Sequence, residues 1–282
     1  MEIRKLDHES VLSLLPDRDI CAHKGNFGKI LLLCGSVGYT GAAALAALGA
    51  LRVGAGLVFL GVPASIYLIE AIKLTEAIVF PLPDIKGMFS EESIAPIGEK
   101  LKAVDAVLIG PGIGQSPACF SIVEYVLRAF HGPVVLDADG LNLIAAHKDI
   151  LRDRTSPTLL TPHAGEFARL GGDVTGDRIH DAVAMAKDLN TVVVLKGHGT
   201  VITDGNQIFV NPTGNPGMAV GGCGDVLAGM ITGLLGQGIE PLKAAACAAW
   251  LHGAAGDVCA DELGQYGMLP TDMLKVLPRL MK

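Results

Sequence analysis

The chain has 282 residues, half of them hydrophobic, so a large core is available to one large domain or two small ones. Its net charge is −7 and it has no cluster of Lys and Arg, which excludes nucleic acid as an expected partner. Six cysteines (Cys21, Cys34, Cys119, Cys223, Cys247, Cys259) form no C-x-x-C pair and have no regular spacing, which argues against a zinc site or a disulfide framework and fits a reduced cytoplasm.

The first ten residues, MEIRKLDHES, are charged from the second position and lack the apolar run of a signal peptide, so secretion is not expected. Lys29–Cys34 (KILLLC) reads as a strand buried on both faces, and GSVGYTG leads from it into an alanine-rich helix over Gly41–Arg52. Val53–Ile69 carries no charge, but its Gly54, Gly56, Gly61 and Pro63 and its 17 residues fit a buried strand and turn better than a membrane span. Within it Leu57–Val62 is the strand, and a helix begins near Ala64. Ala77–Phe80 is a further short strand, and Gly87–Lys102 is polar and then helical.

Asp105–Ile109 runs into Gly110-Pro111-Gly112-Ile113-Gly114, and a helix follows over Pro117–Phe130. Pro133–Leu136 enters DADGLN, with Asp137 and Asp139 at a strand end, where turn hydrogen bonds are the simpler explanation. Thr158–Thr161 precedes Pro162-His163-Ala164-Gly165-Glu166, which opens a helix. A polar helix over Arg178–Leu189 leads to the strand Thr191–Leu195 and then Lys196-Gly197-His198-Gly199-Thr200. Val201–Asp204 and Gln207–Val210 flank Gly205-Asn206 as a hairpin. A long helix over Pro241–Asp257 and a short C-terminal one complete the chain. This alternation predicts an α/β fold of one domain, a mostly parallel sheet with helices on both faces. Ligands in such sheets bind beyond the carboxyl ends of the strands, so Gly112, Asp137, His163, Lys196 and Asp225 are expected on one rim.

The stretch from Asn211 to Gly238, NPTGNPGMAVGGCGDVLAGMITGLLGQG, holds nine glycines and a single charge, Asp225. Gly221, Gly222 and Gly224 let the main chain turn successive amides inward, and from Val226 the apolar spacing is helical. The result is a concavity for an anion at a helix N-terminus. Asp225 is either an N-cap or a general base, and a base beside an anion hole suits phosphoryl transfer. Lys196 is either a phosphate ligand or a surface-turn lysine, and His163 a capping or ligand histidine. Glu166 either complements the helix dipole or reaches a metal through water.

HKGNFG (His23–Gly28), GSVGYTGAA (Gly35–Ala43), GPGIG (Gly110–Gly114), LDADGLN (Leu136–Asn142), LTPHAGEF (Leu160–Phe167), VLKGHGT (Val194–Thr200) and NPTGNPGMAVGGCGDVLAG (Asn211–Gly229) occur in that order. Together they resemble the NAD(P)H-hydrate dehydratase family of the ribokinase-like superfamily, from about Lys24 to the C-terminus. The resemblance implies a three-layer α/β/α ribokinase-like fold and an enzyme that dehydrates the (6S) hydrate of NADH or NADPH, with ADP, or else ATP, as phosphate donor and Mg²⁺ as cofactor. It implies that Lys196, Gly197, His198, Gly199, Thr200 and Gly224 hold the nucleotide, that Asp225 is the catalytic base, and that Ala42, Gly112, His163 and Asp225 meet the hydrate. Gly222, Cys223 and Gly224 would form the anion hole and Glu166 would approach the metal. It further implies a homotetramer and a separate hydrate epimerase acting upstream. A small-molecule hydroxyl kinase of the same superfamily is the alternative.

Three departures stand out. Cys223 replaces the Thr or Ser of the family's G-T/S-G-D turn, HAGE replaces HPGE, and DADGL replaces DADAL. A thiol at a helix N-terminus is expected to be partly thiolate if the dipole outweighs Asp225, and to be an inert core residue otherwise. The alanine-rich helices, with small-residue faces over Gly41–Leu51 and Lys243–Trp250, are expected to form subunit contacts.

Overall fold

A computed structural model describes residues 3–173 and 176–282. Numbered in chain order, its strands are β1 (Ile3–Arg4), β2 (Lys29–Leu33), β3 (Leu57–Pro63), β4 (Ile78–Leu82), β5 (Asp84–Ile85) and β6 (Met88–Phe89). These are followed by β7 (Ala106–Ile109), β8 (Val134–Leu136), β9 (Thr158–Leu160), β10 (Val192–Leu195), β11 (Val201–Thr203) and β12 (Ile208–Val210). The helices are α1 (His8–Leu12), α2 (Thr40–Arg52), α3 (Tyr67–Lys73), α4 (Ile94–Leu101), α5 (Pro117–Ala129) and α6 (Asp139–Ile144). Then come α7 (Asp149–Arg152), α8 (Ala164–Arg169), α9 (Arg178–Leu189), α10 (Cys223–Gly236), α11 (Pro241–Leu263) and α12 (Pro270–Leu280).

Ten strands form one sheet in the order β1-β12-β11-β10-β9-β8-β7-β2-β3-β4. All neighbours run parallel except at β11, which is antiparallel to β10 and to β12 and makes the expected hairpin. From β2 the chain builds outward through β3 to β4, and then from β7 it builds the other way. The topological switch point therefore lies between β2 and β7, where a crevice opens beyond the strand ends.

Alternation along the strands explains the layers. Ile30, Leu32, Val192 and Val194 join a core with α2, α10, α11 and α12, while Leu31, Leu33, Val193 and Leu195 join a second core with α4, α5 and α9. Both faces are covered, so the strands are continuously apolar. α2 and α10 lie so close that a methyl on Gly49 would meet the Val226 carbonyl at 2.5 Å and one on Gly233 the Ala50 carbonyl at 2.8 Å.

That packing corrects one expectation. Ala43, Ala46, Ala47 and Ala50 of α2, and Ala244 to Ala249 of α11 apart from Cys247, are small so that helices can approach one another inside the chain, and all are buried there. Their faces are not available to a second subunit. The exposed apolar face lies elsewhere, on α3 and the edge strand β4: Leu68 is 71 % exposed, Ile72 83 % and Ile78 42 %. Sequence patterning also missed β1, α1, α6, α7 and the β5–β6 hairpin, all of them short. It ended α11 early at Asp257, whereas buried Cys259 continues the stripe until Gly264, at φ +76, stops the helix. No helix among the described residues is long and apolar enough to cross a membrane.

Candidate functional site

The expected rim residues divide between two neighbouring stretches of strand ends. At the ends of β8, β9 and β10, three charged side chains converge, and Asp225 of α10 faces them. Asp137 follows β8 and is 1 % exposed; its Oδ1 accepts from Thr161 Oγ1 at 2.7 Å and from Lys196 Nζ at 2.8 Å. Lys196 follows β10 and also stands 3.8 Å from Glu166 Oε2. Burial pulls the Lys196 ammonium down, but Asp137 and then Glu166 more than reverse this and leave it raised, so it is firmly charged. Lys196 is thus an enclosed cation rather than the lysine of a surface turn. The Asp137–Lys196 pair joins residues 59 apart in sequence and was not anticipated. Its one sequence signal was that both follow apolar strands.

His163 is the N-cap of α8. Its Nδ1 accepts from the Gly165 and Glu166 amides at 3.0 and 3.3 Å, which places the ring proton of the neutral form on Nε2, 3.4 Å from Glu166 Oε1. Glu166 returns the contact by accepting from the His163 amide at 2.8 Å. This capping box fixes the otherwise costly burial of Glu166 beside Lys196.

The glycine turn closes over the charged pair. Gly222, at φ +101, is the N-cap of α10, so Asp225 lies three residues inside the helix and the N-cap expectation for it is corrected. A methyl on Gly224 would lie 3.3 Å from Lys196 Nζ and 4.0 Å from Asp137 Oδ2, so the start of α10 lies directly against the pair. Asp225 is pushed up to about 7, first by burial and then by Asp137; Lys196 opposes this and Glu166 adds to it. A carboxylate with that basicity takes up a proton far more readily than an ordinary surface aspartate.

Cys223 had two expected states. It is 7 % exposed and its thiol is pushed up to about 11, mainly by burial with Asp225 assisting, against a hydrogen bond with the Val220 backbone. Burial and the neighbouring carboxylate outweigh the dipole, which favours the core-residue alternative over the thiolate. His252 of α11, unnoticed in the sequence, is buried near Cys223 and Lys196. Burial holds it down at about 4 and therefore neutral, against a hydrogen bond with the Cys223 backbone.

On the other stretch, at the switch point, the loops after β2 and β7 bind one another without charges. Gly35 N–H donates to the Pro111 carbonyl at 2.8 Å, and Ser36 Oγ donates to the Gly112 carbonyl at 2.7 Å. A methyl on Gly112, at φ +65, would meet Tyr39 Cβ at 2.8 Å and Ala42 Cβ at 3.2 Å. The structure thus brings Ala42 against Gly112 and turns the adjacent Ala43 into the core. Asp139 ties the β7 loop down, accepting from the Gly114 amide at 2.9 Å and from Gln115 Nε2 at 3.0 Å.

Lys196–Thr200 forms a loop in which Thr200 Oγ1 donates to the Gly197 carbonyl at 2.9 Å. His198 is exposed on it. The NPTGN segment before the glycine turn serves as a strap: Asn211 Nδ2 donates to the Ala249 carbonyl at 3.0 Å, and Asp257 accepts from Gly214 N–H and Asn215 Nδ2 at 2.9 and 3.0 Å. Asp257 is a second residue that the sequence reading missed, because only folding brings α11 beneath the strap.

Comparisons with known proteins identify the family. A family model described as NAD(P)H-hydrate dehydratase matches residues 30–279. A bifunctional NAD(P)H-hydrate repair enzyme of Moorella thermoacetica is 45 % identical over 96 % of this chain, which spans only 52 % of that relative. The ADP-dependent (S)-NAD(P)H-hydrate dehydratase of Bacillus subtilis is 38 % identical, with 97 % of this chain and 96 % of that protein covered. A crystal structure of the Bacillus subtilis ADP/ATP-dependent NAD(P)H-hydrate dehydratase, co-crystallised with ATP and Mg²⁺, superposes with a TM-score of 0.84 at 34 % identity and covers 99 % of this chain and 98 % of that one. Hydroxyethylthiazole kinase of Pyrococcus horikoshii, at 18 % identity over 96 % of this chain and 93 % of that one, shares the fold with a TM-score of 0.63. With a family model across most of its length and a 38 % identical relative matched end to end, this chain belongs to the NAD(P)H-hydrate dehydratase family.

Proposed function

We propose that the protein repairs hydrated NADH or NADPH by an ADP-coupled dehydration in which the hydrate hydroxyl is phosphorylated and phosphate is then eliminated. The observation that carries this is Asp225, a carboxylate of raised basicity in the first turn of α10, beside the Asp137–Lys196 pair. As the hydroxyl oxygen attacks the terminal phosphorus of ADP, Asp225 takes its proton and AMP leaves. The ring nitrogen's lone pair then expels phosphate, and loss of a proton from the adjacent carbon restores the double bond. Amides of Gly222, Cys223 and Gly224 with the α10 dipole face the charge that builds on the transferring group.

The same reading assigns the nucleotide to Lys196, Gly197, His198, Gly199, Thr200 and Gly224. It assigns the hydrate to Ala42, Gly112, His163 and Asp225. Magnesium fits only if it arrives with the nucleotide. Among the described residues no group of three or more His, Cys, Asp or Glu side chains could hold a metal, and Glu166 already accepts from His163 and faces Lys196. Mg²⁺ characteristically needs one or two carboxylates and fills its other positions with phosphate oxygens and water, so Glu166 would be its protein partner beside the phosphates, sharing its oxygens with His163 and Lys196. When bound it neutralises charge on the phosphates.

A homotetramer remains the family expectation, and the exposed apolar α3–β4 face, not the buried alanine faces, is where subunit contacts are proposed. Five buried free cysteines out of six support a reducing, cytoplasmic setting. A hydrate epimerase acting upstream is the proposed partner, since the match spans one part of the bifunctional relatives.

The deciding experiment incubates the protein with hydrated NADH, Mg²⁺ and ADP, following reduced-nicotinamide absorbance and AMP. The proposal expects both to rise together. A stable phosphorylated hydrate without recovered absorbance would instead indicate a hydroxyl kinase that stops at the ester.

A further inference from the structure

We propose that Arg178 is a positioning residue for nucleotide binding, which orients the amides of the Lys196–Thr200 loop by gripping its carbonyl groups from behind. The proposal rests on the assignment of that loop to the nucleotide.

Arg178 is the first residue of α9, and Asp177 fixes that helix start by accepting from the Ile179 and His180 amides at 2.9 and 3.3 Å. From there the guanidinium reaches across to the loop. Nη1 donates to the His198 carbonyl at 2.8 Å, and Nη2 donates to the Leu195 and Lys196 carbonyls at 3.1 and 3.2 Å. One planar cation thus collects three main-chain acceptors from four consecutive residues. No lysine reproduces this, because a single ammonium lacks the fork of fixed donors.

Peptide planarity carries the consequence. In a trans peptide the carbonyl of one residue and the N–H of the next point in opposite directions. Holding the Lys196 and His198 carbonyls on the Arg178 side turns the Gly197 and Gly199 amides to the other side. The Gly197 amide accordingly reaches Thr200 Oγ1 at 3.3 Å. Both glycines have positive φ, +148 and +62, backbone that glycine adopts without a Cβ penalty. A methyl on Gly197 would approach Arg178 Nη2 at 2.9 Å, so glycine there also gives the guanidinium its space. A flexible loop of this composition would otherwise sample many peptide orientations, and its ordering would be charged against nucleotide binding. The guanidinium's positive charge behind the loop further polarises the peptides whose amides face outward.

The test measures ADP binding by calorimetry and steady-state kinetics for wild type, Arg178→Ala, Arg178→Lys and Arg178→Gln, with thermal unfolding as a check on the fold. The expected result is an ADP Kd and KM raised on the order of tenfold or more in all three variants, with a much smaller effect on the hydrate KM. Methylguanidinium at low millimolar concentration should recover ADP affinity in Arg178→Ala and should not affect wild type. Wild-type ADP affinity in folded Arg178→Ala would overturn the proposal, as would equal rises in both KM values or full activity of Arg178→Lys. Failure of wild type itself to bind ADP would instead refute the nucleotide assignment beneath it. If Arg178→Ala does not fold, the Lys and Gln variants still decide the matter through the split between the two KM values.

Discussion

The two stretches of the rim solve different problems with the same architectural material. At the ends of β8, β9 and β10, carboxylates and an ammonium are packed together and held by one capping box and by ion pairs. At the ends of β2 and β7, backbone amides, one serine hydroxyl and small side chains do all the bonding across the switch point. Buried charges are tolerated only when paired, so the charged stretch is tightly specified, and Lys196 and Asp225 have raised basicity there. The neutral stretch is specified by steric fit, which suits an uncharged ring whose place is set by shape. In the proposed function the first carries the phosphoryl chemistry, and the second adds Ala42 and Gly112 to the His163 and Asp225 contacts with the hydrate.

Removing the base tests the charged stretch most severely. Asp225→Asn should keep ADP binding but lower kcat by about 10²–10⁴, since the amide cannot accept the hydroxyl proton. Calorimetry alongside a turnover assay checks this, and near-native kcat would end the base assignment.

A pair of substitutions separates the stretches. Lys196→Ala removes a charge-assisted partner and leaves Asp137 exposed to the phosphates, so the ADP KM should rise roughly ten- to hundredfold with the hydrate KM little changed. Gly112→Val places a branched side chain against Tyr39 and Ala42 at a left-handed φ, so the hydrate KM should rise instead. If both variants changed the same KM, the division between the stretches would be wrong.

The pH profile is a milder probe. Asp225 must be ionised to act, and with its pKa at about 7 the rate should fall about tenfold per unit on the acid side of that value. Asp137 raises that pKa, so Asp137→Asn should move the acid limb to lower pH. A limb that stayed in place or moved upward would show that Asp137 does not act on the base.

The smallest expected effect concerns the thiols. Alkylation of the native protein near neutral pH should modify exposed Cys21 and spare Cys223, with or without ADP, as judged by mass spectrometry. Rapid, ADP-protected modification of Cys223 would restore the thiolate that burial argues against.

The alternation of apolar strands and helices, the glycine turn before α10 and the helix start after His163 were legible in the sequence, because each depends on residues adjacent along the chain. Short elements such as the β5–β6 hairpin and α7 were not, since two to four residues carry too little periodicity to stand out. The alanine runs were read correctly as helices but assigned the wrong neighbours, because a small-residue face is the same whether it meets another helix of the chain or another subunit.

By itself, then, the sequence determined the class of fold, the family pattern and the list of residues on the rim. Tertiary structure alone decided which of them touch: Asp137 with Lys196 across 59 positions, Asp257 with the strap, Arg178 with the loop it grips. It also decided their chemical state. The same first helical turn carries a carboxylate made basic at Asp225 and a thiol made inert at Cys223. Both shifts come first from desolvation, which only the packed fold imposes; at Asp225 the charges of Asp137 and Glu166, distant in the chain, add to it, whereas at Cys223 the added charge is that of Asp225 in the same turn.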